Sequence, residues 1–219
     1  MFKKETPVRI TKYVHSCLKV EMPEPINRTV LFDPGVMGEQ ALDAAKFAHL
    51  DDIIITHIHG DHVSVPLLKK LLALFPTVRI TSTSEVVKYL AGEGVKATST
   101  PPQAIEFFEA PHEDVVPLAT QSEEIGVHYL DKLTHPGDSH SFHETKAILA
   151  LPMTAPWGTA VKAINLALEL KPQYVLPIHD WHWSDAARSQ SYDRFEKLLG
   201  EQGITFIKLA TGEPVVLQV

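Results

Sequence analysis

The run Ile53-Ile54-Ile55, followed at once by Thr56-His57-Ile58-His59-Gly60-Asp61-His62, constrains this chain more than any other segment. Three consecutive β-branched residues suit a strand buried on both faces, as in parallel sheets. From Val65 to Phe75 the leucines at 67, 68, 71, 72 and 74 follow a helical period, and Pro76 closes it. A buried strand that runs into a polar cluster and then an amphipathic helix belongs to layered α/β domains, where ligands gather at converging strand ends. Within the cluster, His57 and His59 stand two apart in an extended segment, so both imidazoles point to one side. Gly60 permits a sharp turn, and Asp61 and His62 then face a second point nearby. Four ligand-type residues within six positions can serve two metal ions.

The rest of the chain alternates in the same way. Val8-Arg9-Ile10, Cys17 to Val20 and Thr29 to Phe32 read as strands, with a turn at Pro23, Pro25 and Asn27 and a stop at Asp33-Pro34-Gly35. Residues 39–49 read as a helix. Strands are expected over 78–81, 104–108, 125–134, 147–151 and 174–179, helices over 84–91, 158–170 and 185–200, and two short strands at the end. Besides the strand that ends at His57, three more end in polar residues, at His112, at Asp138 and at His179. No linker, repeat or low-complexity run interrupts the pattern, so residues 1–219 are expected to form one α/β domain.

Composition narrows the function. The chain has 219 residues and a formal net charge of -7, which argues against a nucleic-acid partner held by bulk charge. It has one cysteine, Cys17, so neither an internal disulfide nor a thiolate zinc cluster is expected. Cys17 reads as a core residue. The opening residues, Met1 to Glu5, lead into no apolar run suited to a signal peptide, and no stretch reaches transmembrane length. A cytoplasmic protein with no membrane partner is expected. Twelve histidines against 20 Lys+Arg is an unusual share for the commonest metal-binding side chain.

The segment His57-x-His59-x-Asp61-His62 resembles the signature of the metallo-β-lactamase superfamily. The later elements follow that family's order: a lone histidine (His112), an aspartate in a Gly-Asp-Ser turn (Gly137-Asp138-Ser139), and a histidine at a strand tip (His179). Leu31-Phe32-Asp33-Pro34-Gly35 is similar to the family's Asp-containing turn before the motif. Leu151-Pro152 through Thr154, Lys171-Pro172 and Val175 to His179 resemble the branch of small single-domain metal-dependent hydrolases that includes the ascorbate-phosphate lactonases.

The resemblance implies a four-layer αββα sandwich with two metal ions. It assigns His57, His59 and His112 to the first ion and Asp61, His62 and His179 to the second, with Asp138 as a bridge. All seven ligands offer nitrogen or oxygen, which suits zinc and accepts manganese or iron. A hydroxide shared by two ions would attack a small ester, lactone or phosphorylated metabolite. Asp61 and Asp138 would be the catalytic carboxylates that orient it. No ligand cysteine is present, unlike many true β-lactamases of this fold, so antibiotic hydrolysis is not expected. The alternatives are a nucleic-acid phosphodiesterase and a mononuclear non-haem iron dioxygenase of the same superfamily.

Further residues have two readings each. Asp33 either holds a ligand histidine or caps its own turn. His140 and His143, in the segment after Asp138, are candidates to reach a substrate as acid or hydrogen-bond donor, and Trp157, Trp181, His182 and Trp183 either wall a substrate pocket or pack loops. His15 follows a strand that can approach the site. His135 packs beside Asp138, and His49 and His128 read as surface residues.

Overall fold

The computed structural model describes residues 6–115 and 121–219. The opening residues Met1 to Glu5, read above as unsuited to a signal peptide, lie outside them. In chain order the strands are β1 (Pro7–Lys12), β2 (Leu18–Met22), β3 (Arg28–Phe32), β4 (Asp52–Ile54), β5 (Arg79–Thr81), β6 (Ile105–Phe108), β7 (Gly126–Tyr129), β8 (Leu133–His135), β9 (Ile148–Pro152), β10 (Tyr174–Ile178), β11 (Thr205–Phe206) and β12 (Pro214–Gln218). The α-helices are α1 (Val65–Leu74), α2 (Ser84–Gly92), α3 (Ala160–Leu170) and α4 (Asp185–Gly200). Each helix starts at a hydroxyl cap, Ser64, Thr83, Thr159 or Ser184, whose oxygen accepts a backbone N–H of the first turn.

The chain divides into two compact units, one made of residues 1–100 and 209–219, the other of residues 101–208. The first holds a six-stranded sheet in the order β12-β1-β2-β3-β4-β5. Strand β1 is antiparallel to β2, β2 to β3, and β3, β4 and β5 are parallel. Strands β1, β3, β4 and β5 therefore run the same way, and their carboxyl ends share one edge. Leu67, Leu68 and Leu71 of α1 and Val86 and Leu90 of α2 form a core with Leu31, Ile53, Ile55 and Ile80. Ile53, Ile54 and Ile55 are all fully buried, as a strand buried on both faces requires.

The second unit holds a sheet in the order β11-β10-β9-β8-β7-β6. Only β7 runs against the others, because β6–β7 and β7–β8 are antiparallel and the remaining pairs parallel. The carboxyl ends of β6, β8 and β10 thus share an edge, and His112, Asp138 and His179 follow those ends. Its core joins Ala163, Ile164 and Ala167 of α3 and Tyr192 and Leu199 of α4 to Leu149, Leu151, Val175 and Phe206.

Three expectations need correction. Residues 39–49 form no α-helix. They contain a short 3-10 turn, Ala44–Lys46, because the Asp43 side chain accepts from the Ala45 N–H and ends any continuous ladder. Leu42, Phe47 and Leu50 reach the core at a non-helical spacing. Residues 125–134 hold two strands, since Leu130 and Asp131 both take left-handed conformations (φ 49 and 53) in a tight hairpin turn. His128 is buried: its ring stacks on Phe108 with centroids 4.3 Å apart, and its Nδ1 lies 2.9 Å from the Thr134 hydroxyl.

Candidate metal centre

In the first unit the carboxyl end of β4 delivers Thr56 and His57, and the end of β3 delivers Asp33. The Asp33 carboxylate accepts from the Thr56 N–H (2.8 Å) and hydroxyl (2.9 Å), and its Oδ2 lies 2.8 Å from Nδ1 of His62. Asp33, Thr56, His57 and His62 are fully buried. Asp33 thus holds a motif histidine, the first of its two expected roles. The turn after it packs directly on the motif. Ser64 N–H donates to Pro34 O (2.9 Å) and Val36 N–H to Gly60 O (2.8 Å), and a Cβ on Gly35 would stand 1.9 Å from the Asp61 carbonyl oxygen. Only glycine permits that approach.

The motif residues come together as the spacing implies. Nε2 of His57 lies 3.1 Å from Nδ1 of His59, and the His57 and His62 ring centroids are 4.0 Å apart. Asp61 Oδ2 lies 3.8 Å from Nε2 of His62 and 3.0 Å from Nε2 of His15.

In the second unit three strand ends bring His112, Asp138 and His179 together. Asp138 Oδ2 lies 3.0 Å from Nε2 of His179 and 3.7 Å from Nε2 of His112, and all three residues are buried. Nδ1 of His179 lies 2.7 Å from Thr154 O, and Nδ1 of His112 lies 2.5 Å from Glu113 O. His179 is held in the left-handed region (φ 52), where a non-glycine residue is uncommon. Such a conformation persists where surrounding structure fixes it, often at a functional site.

These contacts test whether the residues fit a divalent cation. A carbonyl only accepts, so a neutral imidazole bonded to it carries its proton on Nδ1 and presents a lone pair at Nε2. In His179 that lone pair faces a carboxylate oxygen of Asp138 at 3.0 Å. Two electron-rich atoms so close call for a proton or a metal ion. Fixing Nδ1 on a carbonyl or carboxylate is how ligating histidines are oriented, and His62, His112 and His179 all show it. Every candidate donor is nitrogen or oxygen. The thiol of Cys17 is buried, and burial pushes its pKa up, so it stays protonated and takes no part. The donor set fits zinc, manganese or iron.

Residues 9–179 match the beta-lactamase superfamily domain. The chain belongs to that superfamily. It is 24% identical to a UPF0173 metal-dependent hydrolase of Pyrococcus furiosus, over 96% of this chain and 100% of that one. Two solved structures share its fold. One is Igni18, a metallo hydrolase from Ignicoccus hospitalis (TM-score 0.71, 18% identity, 97% and 99% of the two chains covered). The other is the metallo-β-lactamase fold protein YhfI from Bacillus subtilis (TM-score 0.66, 15% identity, 98% and 100% covered). The expected α/β fold of the metallo-β-lactamase type is the fold observed.

Around this superfamily site, other candidates divide. In the second unit the Trp157 ring lies 5.1 Å from His179, 5.4 Å from His140 and 6.2 Å from His112, so it borders these histidines. His140 is buried with Nε2 2.8 Å from Pro152 O, and burial holds its pKa below the ordinary value. His143, Trp181 and His182 are exposed. Trp183 packs on Phe195, 6.2 Å between centroids, as the loop-packing reading expects. His135 is buried, and its Nδ1 accepts from the Gly137 N–H (3.3 Å). His49 is partly exposed, with Nε2 3.1 Å from the Thr29 hydroxyl.

Sequence reasoning missed two carboxylates beside Asp138. Glu124 accepts the Asp138 N–H. Glu113 accepts from the His140 N–H (3.1 Å), the Ser141 hydroxyl (2.9 Å) and Lys162 Nζ (2.7 Å). Burial works against ionisation of Glu113, but these donors outweigh it and hold its carboxyl below the usual range. A third missed residue is Asp180, buried next to His179 and bonded to the Tyr192 hydroxyl. Position beside a candidate ligand, His112 or His179, was the one signal available for Glu113 and Asp180.

Proposed function

We propose that this chain is a dinuclear metal-dependent hydrolase of small esters, lactones or phosphorylated metabolites. His57, His59 and His112 hold one ion, and Asp61, His62 and His179 hold the second. Asp138 would serve both ions. The carrying observation is Nε2 of His179 set 3.0 Å from the Asp138 carboxylate while Nδ1 is held on the Thr154 carbonyl, an arrangement that a cation stabilises. The superfamily match runs from residue 9 to residue 179, which supports reading residues 1–219 as one domain. Relatives named as metal-dependent hydrolases in Pyrococcus furiosus and Enterococcus faecalis support the reaction class.

When bound, the ions supply Lewis acidity and a water acidified toward hydroxide at neutral pH. The chain's own residues do the rest. Asp33, Thr154 O and Glu113 O hold the imidazoles of His62, His179 and His112 in one tautomer. Either carboxylate, Asp61 or Asp138, would take the one proton released by the attacking water, and both would orient that water toward the electrophilic carbonyl or phosphorus. Trp157, beside His112, His140 and His179, supports a small organic substrate. Zinc is the metal we favour, with manganese or iron accepted by the same donors. The acidic chain and its single buried thiol favour a cytoplasmic enzyme with no nucleic-acid partner. Among the described residues no helix is long and apolar enough to cross a membrane.

Metal analysis of the purified chain should find about two ions per chain. His57→Ala and Asp138→Ala should each lose metal and lose hydrolysis of generic esters and bis-p-nitrophenyl phosphate. Full metal content in either variant would overturn the ligand assignment. One iron per chain with oxygen consumption would replace hydrolysis by the dioxygenase chemistry.

A further inference from the structure

His15 belongs to none of the seven positions, yet the fold of the first unit carries it to the motif. Strands β1, β3 and β4 run the same way, so the loop after β1 arrives at the same sheet edge as Asp33 and His57. That loop is a tight turn, closed by Tyr13 N–H to Cys17 O (2.9 Å) and Cys17 N–H to Val14 O (3.1 Å). It places His15 in the left-handed region (φ 63) and buries it. From there Nε2 of His15 reaches Asp61 Oδ2 at 3.0 Å, and its ring meets His62 edge-on with centroids 5.7 Å apart. A histidine held in an uncommon backbone conformation, with its ring nitrogen placed on a partly exposed carboxylate, orients that carboxylate.

We propose that His15 is a positioning residue: its Nε2–H donates to Asp61 and aims the other carboxylate lone pairs at the metal. This rests on the reading above that Asp61 ligates the second ion. Asp61 stands on a turn opened by Gly60 and is less buried than His15, His57 and His62. Left to itself, such a carboxylate samples several rotamers. A buried donor at 3.0 Å selects one, and contacts of this kind change metal affinity by about 10- to 100-fold.

The test uses the full chain, stripped of metal and titrated with zinc against a chelating dye, with the melting temperature of the metal-free form as a fold control. Three variants are compared. His15→Asn tolerates the left-handed turn, but its shorter amide stops short of Asp61. His15→Gln carries an amide donor out to the position of Nε2. Asp61→Ala removes the carboxylate. His15→Asn should weaken one of the two ions about 10- to 100-fold and leave the other unchanged, while His15→Gln restores most of the affinity. Wild-type affinity for both ions in His15→Asn would overturn the proposal while leaving the metal site intact. Equal loss in His15→Asn and His15→Gln would make His15 a ligand and likewise overturn it. Two tightly held ions in Asp61→Ala would instead overturn the underlying assignment of Asp61.

Discussion

Nδ1 of His62 stands 2.8 Å from Oδ2 of Asp33, and both residues are fully buried. The same carboxylate takes the backbone N–H and the hydroxyl of Thr56, so one side chain from the end of β3 ties down both ends of the motif's first turn. Asp33→Asn keeps the shape and tolerates the left-handed backbone, but an amide nitrogen then faces N–H donors. His62 is freed to move its proton to Nε2. Zinc affinity should fall about 10- to 100-fold, read by competition with a chelating dye. Unchanged affinity would show that Asp33 only shapes the turn.

Gly35 lies where a methyl group would strike the Asp61 carbonyl. Gly35→Ala must push the Asp33-Pro34-Gly35 turn away from the motif. Overpacking of this kind costs about 1–3 kcal/mol. Urea unfolding of the metal-free chain should show that loss, and metal content should drop with it. A variant as stable as the parent and fully loaded would refute the close approach.

Burial lowers the pKa of His128, and the nearby Lys146 charge lowers it further. The unfolded chain therefore binds a proton at His128 near pH 6.5, where the folded chain does not. This part of the stability is fully present above pH 6.5 and declines as pH falls through the lower folded value. His128→Gln should flatten the fall in melting temperature of the metal-free protein on acidification below pH 6.5. His140, shifted in the same direction, leaves a residual slope. An unaltered slope in His128→Gln would place the titration elsewhere.

The Tyr192 hydroxyl donates to the buried carboxylate of Asp180, and burial together with that negative charge pushes the tyrosine pKa upward. Helix α4 is thereby fastened to the residue after His179. Tyr192→Phe removes one hydrogen bond to a charged group and should cost about 1.5–3 kcal/mol in urea unfolding. A cost near zero would mean that the pair contributes nothing net to stability.

Much of this protein was legible along the chain. The isoleucine run, the leucine period over Val65 to Phe75 and the spacing of His57, His59, Asp61 and His62 are local signals, because strand burial, helical period and ligand spacing act over a few neighbouring residues. The helix expected over 39–49 failed because a local competitor, the Asp43 side chain, captured a backbone N–H. What only the tertiary structure decided depends on strand direction and pairing. The edge shared by β1, β3 and β4 sets His15 on Asp61 and Asp33 on His62, although 46 and 29 residues separate the partners. The left-handed backbones of His15, Asp33 and His179 likewise belong to the fold: histidine and aspartate enter that region more readily than most residues, but it is the packed strand ends that hold them there.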